Sequence, residues 1–265
     1  MPFVLFYQQF METNQLIQGV RLSCQAAAAV MKAARDAVQV GSRLLDIEAA
    51  ASASMAKLNV RSAFLGLQGF PGLICVSVNE EVLHGIPSHR QIKCGDVIKV
   101  DLGVVKNGWY SDMAVTFLMD DGSPEFAAKR GLSNTTLFAL MAGISKAKAG
   151  NRIFDISKAI DDVIRFRGFS SVEGMAGHGV GRRLHLSPQV PNQTEGWDCS
   201  YVLKEGDILA IEPMVGMGSG KARVKHDGWT IIMSDGRPSA HFEHTILVTK
   251  GEPEILTETD ANYFR

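Results

Sequence analysis

Four carboxylates fall where a bare charge is costly. Asp101, Asp112, Glu212 and Glu243 each sit in a Val/Ile/Leu-rich stretch that reads as a strand, and an unpaired charge desolvated there carries a penalty of several kcal/mol. Two of them are linked by a repeat. Lys93-Cys94-Gly95-Asp96 leads through an apolar run to Asp101, and 111 residues later Lys204-Glu205-Gly206-Asp207 leads through another to Glu212. An acid at the same register of two related segments predicts a site between them. The strands beside these acids offer only Lys99 as a cation, so a pair of divalent ions is the economical way to balance four negative charges. His178, inside Gly177-His178-Gly179-Val180-Gly181, would complete an oxygen-dominated donor set. Such a set suits manganese, iron(II), cobalt or zinc. Two such ions about 3.5–4 Å apart acidify a water and polarise a carbonyl in one step, which is hydrolytic chemistry.

Other ionisable residues have plainer readings. Asp96 and Asp207 follow Gly at strand entrances and read as turn residues. Glu80, Glu81, Asp120 and Asp121 lie in polar stretches and read as solvated. His89, His226, His241 and His244 give no reason to prefer them as ligands, and His84 and His185 stay open between a site role and a structural one. The Gly177–Gly181 run does not match GxGxxG and lacks the surrounding α/β unit, which excludes a dinucleotide site.

The elements that would carry these residues follow from turn and helix signals. Asn107-Gly108 between two apolar runs predicts a two-residue hairpin, with Lys106 facing Trp109, Gly103 facing Asp112 and Asp101 facing Ala114. Residues two apart share a face, so Asp101 and Asp112 become diagonal neighbours about 7–8 Å apart. Helices are expected over 15–39, from near Leu45, over 126–148 and over 153–167, with strands at Leu73–Val78 and His241–Thr249. Two helices then strands, twice over, predicts an α+β fold of two pseudo-symmetric halves, about 15–125 and 126–265, in a single catalytic domain preceded by an N-terminal arm, 1–14.

Composition narrows the partners. A net charge of -1, with 46% hydrophobic and 21% charged residues and no Lys/Arg block, argues against nucleic acid or an anionic membrane surface. Cys24, Cys75, Cys94 and Cys199 have no paired spacing, which points to a reducing compartment without a disulfide framework. The opening MPFVLFYQQF lacks a basic n-region and is too short to span a bilayer.

Several motifs together carry a family resemblance over roughly 15–258: Asn79-Glu80-Glu81-Val82-Leu83-His84-Gly85-Ile86-Pro87, the Asp101/Asp112 pair, Gly177–Arg182 with His185 seven residues after His178, Ile211-Glu212-Pro213, Asp227-Gly228-Trp229-Thr230, and Ser239 through Thr245. With them the chain resembles the type I methionine aminopeptidases, which have the duplicated pita-bread (creatinase/aminopeptidase) α+β fold, a curved antiparallel sheet covered by two helix pairs. The resemblance implies removal of the initiator methionine from nascent proteins and peptides by a water held between two divalent metals. It implies metal ligands Asp101, Asp112, His178, Glu212 and Glu243. His84 and His185 would contact the substrate, His185 at the carbonyl oxygen, and Glu212 would also shuttle a proton. A methionine pocket would be lined by Phe70, Cys75, Leu184 and Trp229, with Phe64 and Leu67. A cytoplasmic monomer acting on chains at the ribosome is the implied setting.

The chain also departs from that pattern. Leu186 stands where the family usually has an acid after the second histidine, and Asp101 through Met113 looks more like the proline-specific relatives. No N-terminal zinc-binding or ribosome-docking extension and no type II insertion is expected. A proline-specific aminopeptidase or dipeptidase of the same fold, and a non-catalytic peptide-binding homologue, are the alternative readings; filled ligand positions weigh against the second.

Overall fold

The computed structural model describes residues 2–124 and 126–258. Among them are four α-helices, α1 (Pro2–Ala37), α2 (Leu44–Leu58), α3 (Phe126–Ser145) and α4 (Ile153–Phe166). They cover a largely antiparallel nine-stranded sheet built from β1 (Arg61–Ser62), β2 (Cys75–Val78), β3 (Val97–Lys106), β4 (Trp109–Leu118), β5 (Ala176–Gly179), β6 (Leu186–Pro191), β7 (Ile208–Ile211), β8 (Glu243–Leu247) and β9 (Glu254–Ile255). The strand order is β1-β3-β4-β8-β7-β5-β6, with β2 paired to β3 and β9 to β8. Among the described residues no helix is long and apolar enough to cross a membrane.

The hairpin predicted from Asn107-Gly108 is present with the predicted register. Both loop residues have positive φ, 52° and 77°, the geometry whose twist matches the flanking strands. β3 and β4 are buried almost end to end because both faces are covered. Val100, Leu102, Val104, Met113 and Val115 pack into the main core with residues of all four helices, such as Met31, Ile47, Leu140 and Ile160.

Duplication extends beyond the two strands that first showed it. Gly41 N donates to Ile92 O (2.8 Å) and Gly150 N donates to Leu203 O (2.9 Å), with acceptors 111 residues apart. α2 and α4 each begin after an arginine whose backbone N–H donates to an aspartate three residues on, Arg43 to Asp46 (2.8 Å) and Arg152 to Asp155 (2.7 Å), satisfying orphan donors at each helix start. The halves meet where β4 pairs β8.

Two predicted boundaries are corrected. α1 starts at Pro2, not near Gln15, because no glycine or proline interrupts residues 3–18; the residues expected to form an arm continue the helix, while Met1 and residues 259–265 lie outside the described ones. α1 is laid close against the hairpin at Gly19, where a Cβ would lie 2.2 Å from Trp109 Nε1, and it reaches the second half through Ile17 and Val20 against Val180, Ile208 and Leu247. The single strand expected over His241–Thr249 is two, Ser239–His241 and β8. Phe242 breaks it by turning into the core, and Ser239–His241 pairs with Met214–Gly216 in a separate small sheet.

Candidate metal centre

Register alone sets the acids on one face. Asp101 on β3 is opposite Ala114 on β4, and Ala114 is opposite Glu243 on β8. Thr245, two residues from Glu243, is opposite Ala210 on β7, and Ala210 is opposite His178 on β5. Paired residues and residues two apart share a face, so Asp101, Asp112, Glu243, Glu212 and His178 all project to the side away from the helices. The intervening positions, Ala114 and Ala210, are small, and next to His178 a Cβ on Gly177 would lie 2.2 Å from Ala210 O. Thr245 Oγ1 donates to Asp112 O (2.7 Å) and accepts from Asp112 N (3.1 Å), stapling β4 to β8 at this row.

Among the described residues, three sets of potential ligand atoms lie within 4.8 Å of one another: Asp101, Asp112 and Glu243; His178, Glu212 and Glu243; and Asp112, His178 and His185. The last brings in His185, whose ring meets that of His178 edge-on at 4.4 Å. His178 Nδ1 lies 3.0 Å from Gly179 O. A carbonyl only accepts, so Nδ1 carries the proton and the Nε2 lone pair is left facing the cluster, 3.8 Å from Asp112 Oδ2 and 3.6 Å from Glu212 Oε1. That tautomer is the one a metal-binding imidazole needs.

Electrostatics show what the cluster lacks. Burial lifts the Asp101 carboxyl to about 7. Burial, then the neighbouring carboxylates, pushes Asp112, Glu212 and Glu243 well above the usual range. Burial also draws His178 down to about 4. Asp101 Oδ1 and Glu243 Oε1 are buried with no hydrogen-bond partner, which is rare for polar atoms unless an ion or water completes them. Lys99, the cation on the neighbouring strand, is spent elsewhere. Its Nζ donates to Asn79 O (2.7 Å) and Ser239 O (3.3 Å), and burial lowers its pKa to about 7. Orphaned oxygens, a correctly protonated imidazole and clustered acids fit divalent cations.

The remaining candidates surround this cluster. His84, Phe64, Leu67, Phe70, Cys75, Leu184, His185 and Trp229 line one cavity of about 140 Å³ together with the five carboxylate and imidazole residues. Cys75 is the register partner of Asp101 across β2–β3, and Phe70 and Trp229 meet edge-on at 5.3 Å. His84 is held at φ 56°, a conformation that costs a non-glycine residue energy and recurs at functional sites. The Asp227–Thr230 turn supports it: Asp227 Oδ1 accepts from Trp229 N and Thr230 N (both 2.9 Å), and Thr230 Oγ1 lies 3.5 Å from His84 O. Burial holds His84 and His185 below the ordinary histidine range, so both are neutral near pH 7.

Sequence reasoning passed over three residues here. Gln68 and Leu83 also line the cavity. His241, read as without a ligand role, is buried with both ring nitrogens unpartnered and Nε2 3.6 Å from Glu212 Oε2. Its two-residue spacing from Glu243 was the available signal. Asp96 and Asp207 are turn acids as expected, accepting from Lys93 N and Lys204 N (both 2.8 Å). Glu81 is not simply solvated, since it accepts from Val78 N (2.8 Å) and pairs with Lys225 (3.1 Å).

Known proteins are similar to this chain in sequence and fold. The sequence pattern of metallopeptidase family M24 matches residues 18–250. A methionine aminopeptidase from Borreliella burgdorferi is 46% identical over 202 residues, covering 76% of this chain and 79% of that protein. The crystal structure of a methionine aminopeptidase from Thermotoga maritima superposes with a TM-score of 0.87 at 39% identity, covering 92% of this chain and 97% of that one. Prolidase from Pyrococcus furiosus shares the fold, with a TM-score of 0.75 at 23% identity over 93% of this chain and 64% of its own. The duplicated sheet with two helix pairs is the pita-bread fold, and the chain belongs to metallopeptidase family M24.

Proposed function

We propose that the protein is a metal-dependent aminopeptidase that removes the N-terminal methionine from peptides and nascent polypeptides, with Asp101, Asp112, His178, Glu212 and Glu243 holding two divalent ions, cobalt, manganese, iron(II) or zinc. The observation that carries this reading is one small cavity lined on one side by a carboxylate cluster bearing orphaned oxygens and on the other by apolar side chains. A cavity of about 140 Å³ matches one side chain, since about 150 Å³ of apolar space takes up a benzene-sized ligand. Phe64, Leu67, Phe70, Cys75, Leu184 and Trp229 would bury the methionine side chain there, stabilising the complex by roughly 1.5–3 kcal/mol.

Bound at the cluster, the ions would supply a Lewis acid for the scissile carbonyl and a water that is nucleophilic at neutral pH. The protein's own groups do the rest. Neutral His185 donates a hydrogen bond to the carbonyl oxygen as charge develops there. His84 faces the substrate amine and leaving amide. Glu212 takes the proton from the attacking water and returns it to the departing amine. Trp229 and Phe70 close one side of the pocket and exclude water. Free thiols at all four cysteines support a cytoplasmic setting, and the small cavity beside the carboxylates supports a free N-terminus as the substrate, on peptides or on chains leaving the ribosome, with the protein acting as a monomer.

Incubating metal-loaded protein with Met-Ala-Ser and Ala-Pro-Ala tests the assignment. Release of methionine from the first supports it, and cleavage of the second alone would assign the site to the proline-specific branch.

A further inference from the structure

Beside the row of site acids runs a second row, two residues along each strand. Cys75, Asp101, Ala114 and Glu243 are register partners across β2, β3, β4 and β8, and Ser77, Lys99 and Thr116 are register partners across the first three of these. Residues two apart share a face, so the second row also points to the side of the site. All three of its side chains are buried, and Lys99, 1% exposed, is among the largest of the fully buried side chains. A lysine taken out of water in the middle of a sheet costs free energy that a valine there would not. What its amine holds is therefore informative.

Each member of the row holds the backbone of a segment that carries a site histidine. Ser77 Oγ accepts from Gly85 N (3.0 Å), next to His84. Lys99 Nζ donates to Asn79 O (2.7 Å), in the turn leading to His84, and to Ser239 O (3.3 Å), at the start of the strand that ends on His241. Thr116 Oγ1 donates to His241 O (2.6 Å) and accepts from His241 N (2.9 Å). Lys99 is the shared point, because Asn79 belongs to the first half of the chain and Ser239 to the second. Two acceptors need two N–H groups, which the amine offers in either protonation state, so the tie does not depend on its charge. The two segments are also bound to each other, Ser239 N donating to Asn79 O (3.0 Å) and Ser239 Oγ to Glu81 O (3.1 Å). They lie close on β2: a Cβ on Gly85 would be 2.4 Å from Val76 O. His84 keeps its φ of 56° inside this frame, and a strained residue persists only where its surroundings hold it.

We propose that Lys99 and Ser77 are positioning residues for His84, fixing that imidazole against the substrate by hydrogen bonds to the backbone of 79–85. The proposal rests on the aminopeptidase reading, in which His84 touches the substrate, and adds to it the residues that place this group. The pocket walls Phe70, Leu184 and Trp229 lie on other segments, so methionine binding should persist while turnover falls.

The test is methionine release from Met-Ala-Ser by metal-loaded Lys99→Met, Ser77→Ala and His84→Ala, and by each of the first two combined with the third. Lys99→Met and Ser77→Ala should each lower kcat by about tenfold with KM within about twofold of the wild type, since a displacement of about 1 Å at a reacting group can cost about a hundredfold. In the His84→Ala background neither should lower kcat further, because the group they place is gone. A packing defect unrelated to His84 would multiply with it instead. In metal-free protein, amide exchange over 79–85 should quicken in both variants while the β3–β4 hairpin keeps its protection. Should Lys99→Met not fold, Ser77→Ala carries both readouts. Wild-type kcat in a folded variant, full multiplication with His84→Ala, or unchanged exchange over 79–85 would overturn the positioning role while leaving methionine removal intact. No methionine release by the metal-loaded wild type would overturn the underlying reading, and this one with it.

Discussion

Asp101 and Glu243 face each other across a single methyl group, because Ala114 is the register partner of both. Each of the two acids keeps a buried oxygen without a partner, so the space above Ala114 is where a cation would be shared. Enlarging that residue should fill it. Ala114→Val is expected to cost about 1–3 kcal/mol by overpacking and to lower the number of ions retained after gel filtration. Unchanged metal content in a folded variant would move the ions elsewhere.

The site acids should make the metal-free protein sensitive to base. A carboxyl whose folded pKa is raised keeps a proton that the unfolded chain releases above about pH 4. The stability it contributes is fully present below that and is lost as pH rises through the folded value, about 7 for Asp101 and likewise raised by burial for its neighbours. Metal-stripped protein should therefore melt at a lower temperature at pH 8 than at pH 5.5. Divalent metal should reverse this trend, since the ligands must lose their protons to bind it. Thermal melts at the two pH values, with and without manganese, check both halves.

Gly177 lets β5 lie against β7. An added Cβ would sit 2.2 Å from a backbone oxygen, which cannot move aside as a side chain end could. Gly177→Ala should displace the adjacent His178, costing roughly 1–3 kcal/mol and reducing metal affinity more than Gly143→Ala, where the clash is with the Ile160 side chain on a helix. Calorimetric titration of manganese into both variants makes the comparison.

How much of this was legible in the sequence depends on how local the cause was. The Asn107-Gly108 turn fixes its own register, so the Asp101/Asp112 relationship could be read before any fold was known. The 111-residue repeat gave the pairing of halves because both copies keep the Gly-Asp turn. The long-range relationships were hidden. Glu243 comes beside Ala114 only because β8 inserts next to β4. His241 reaches Glu212 only because Phe242 breaks the strand and passes Ser239–His241 to a second sheet. Lys99, the cation the neighbouring strand offers, ties the Asn79 turn carbonyl to the Ser239 strand carbonyl, a choice of partner that spacing does not encode. The continuation of α1 to Pro2 was missed because composition changes near residue 15 while helix-permitting sequence does not.

The central claim is that one cluster of carboxylates binds the ions that make methionine release possible. Protein stripped with a chelator and titrated with manganese, while metal content and methionine release from Met-Ala-Ser are followed in the same samples, tests it most directly. Release should be absent without metal and rise with bound ion. In Glu212→Gln it should fall by at least about a hundredfold, as expected for loss of both a ligand and the proton shuttle. Full release from the stripped wild type, or undiminished turnover in Glu212→Gln, would contradict it.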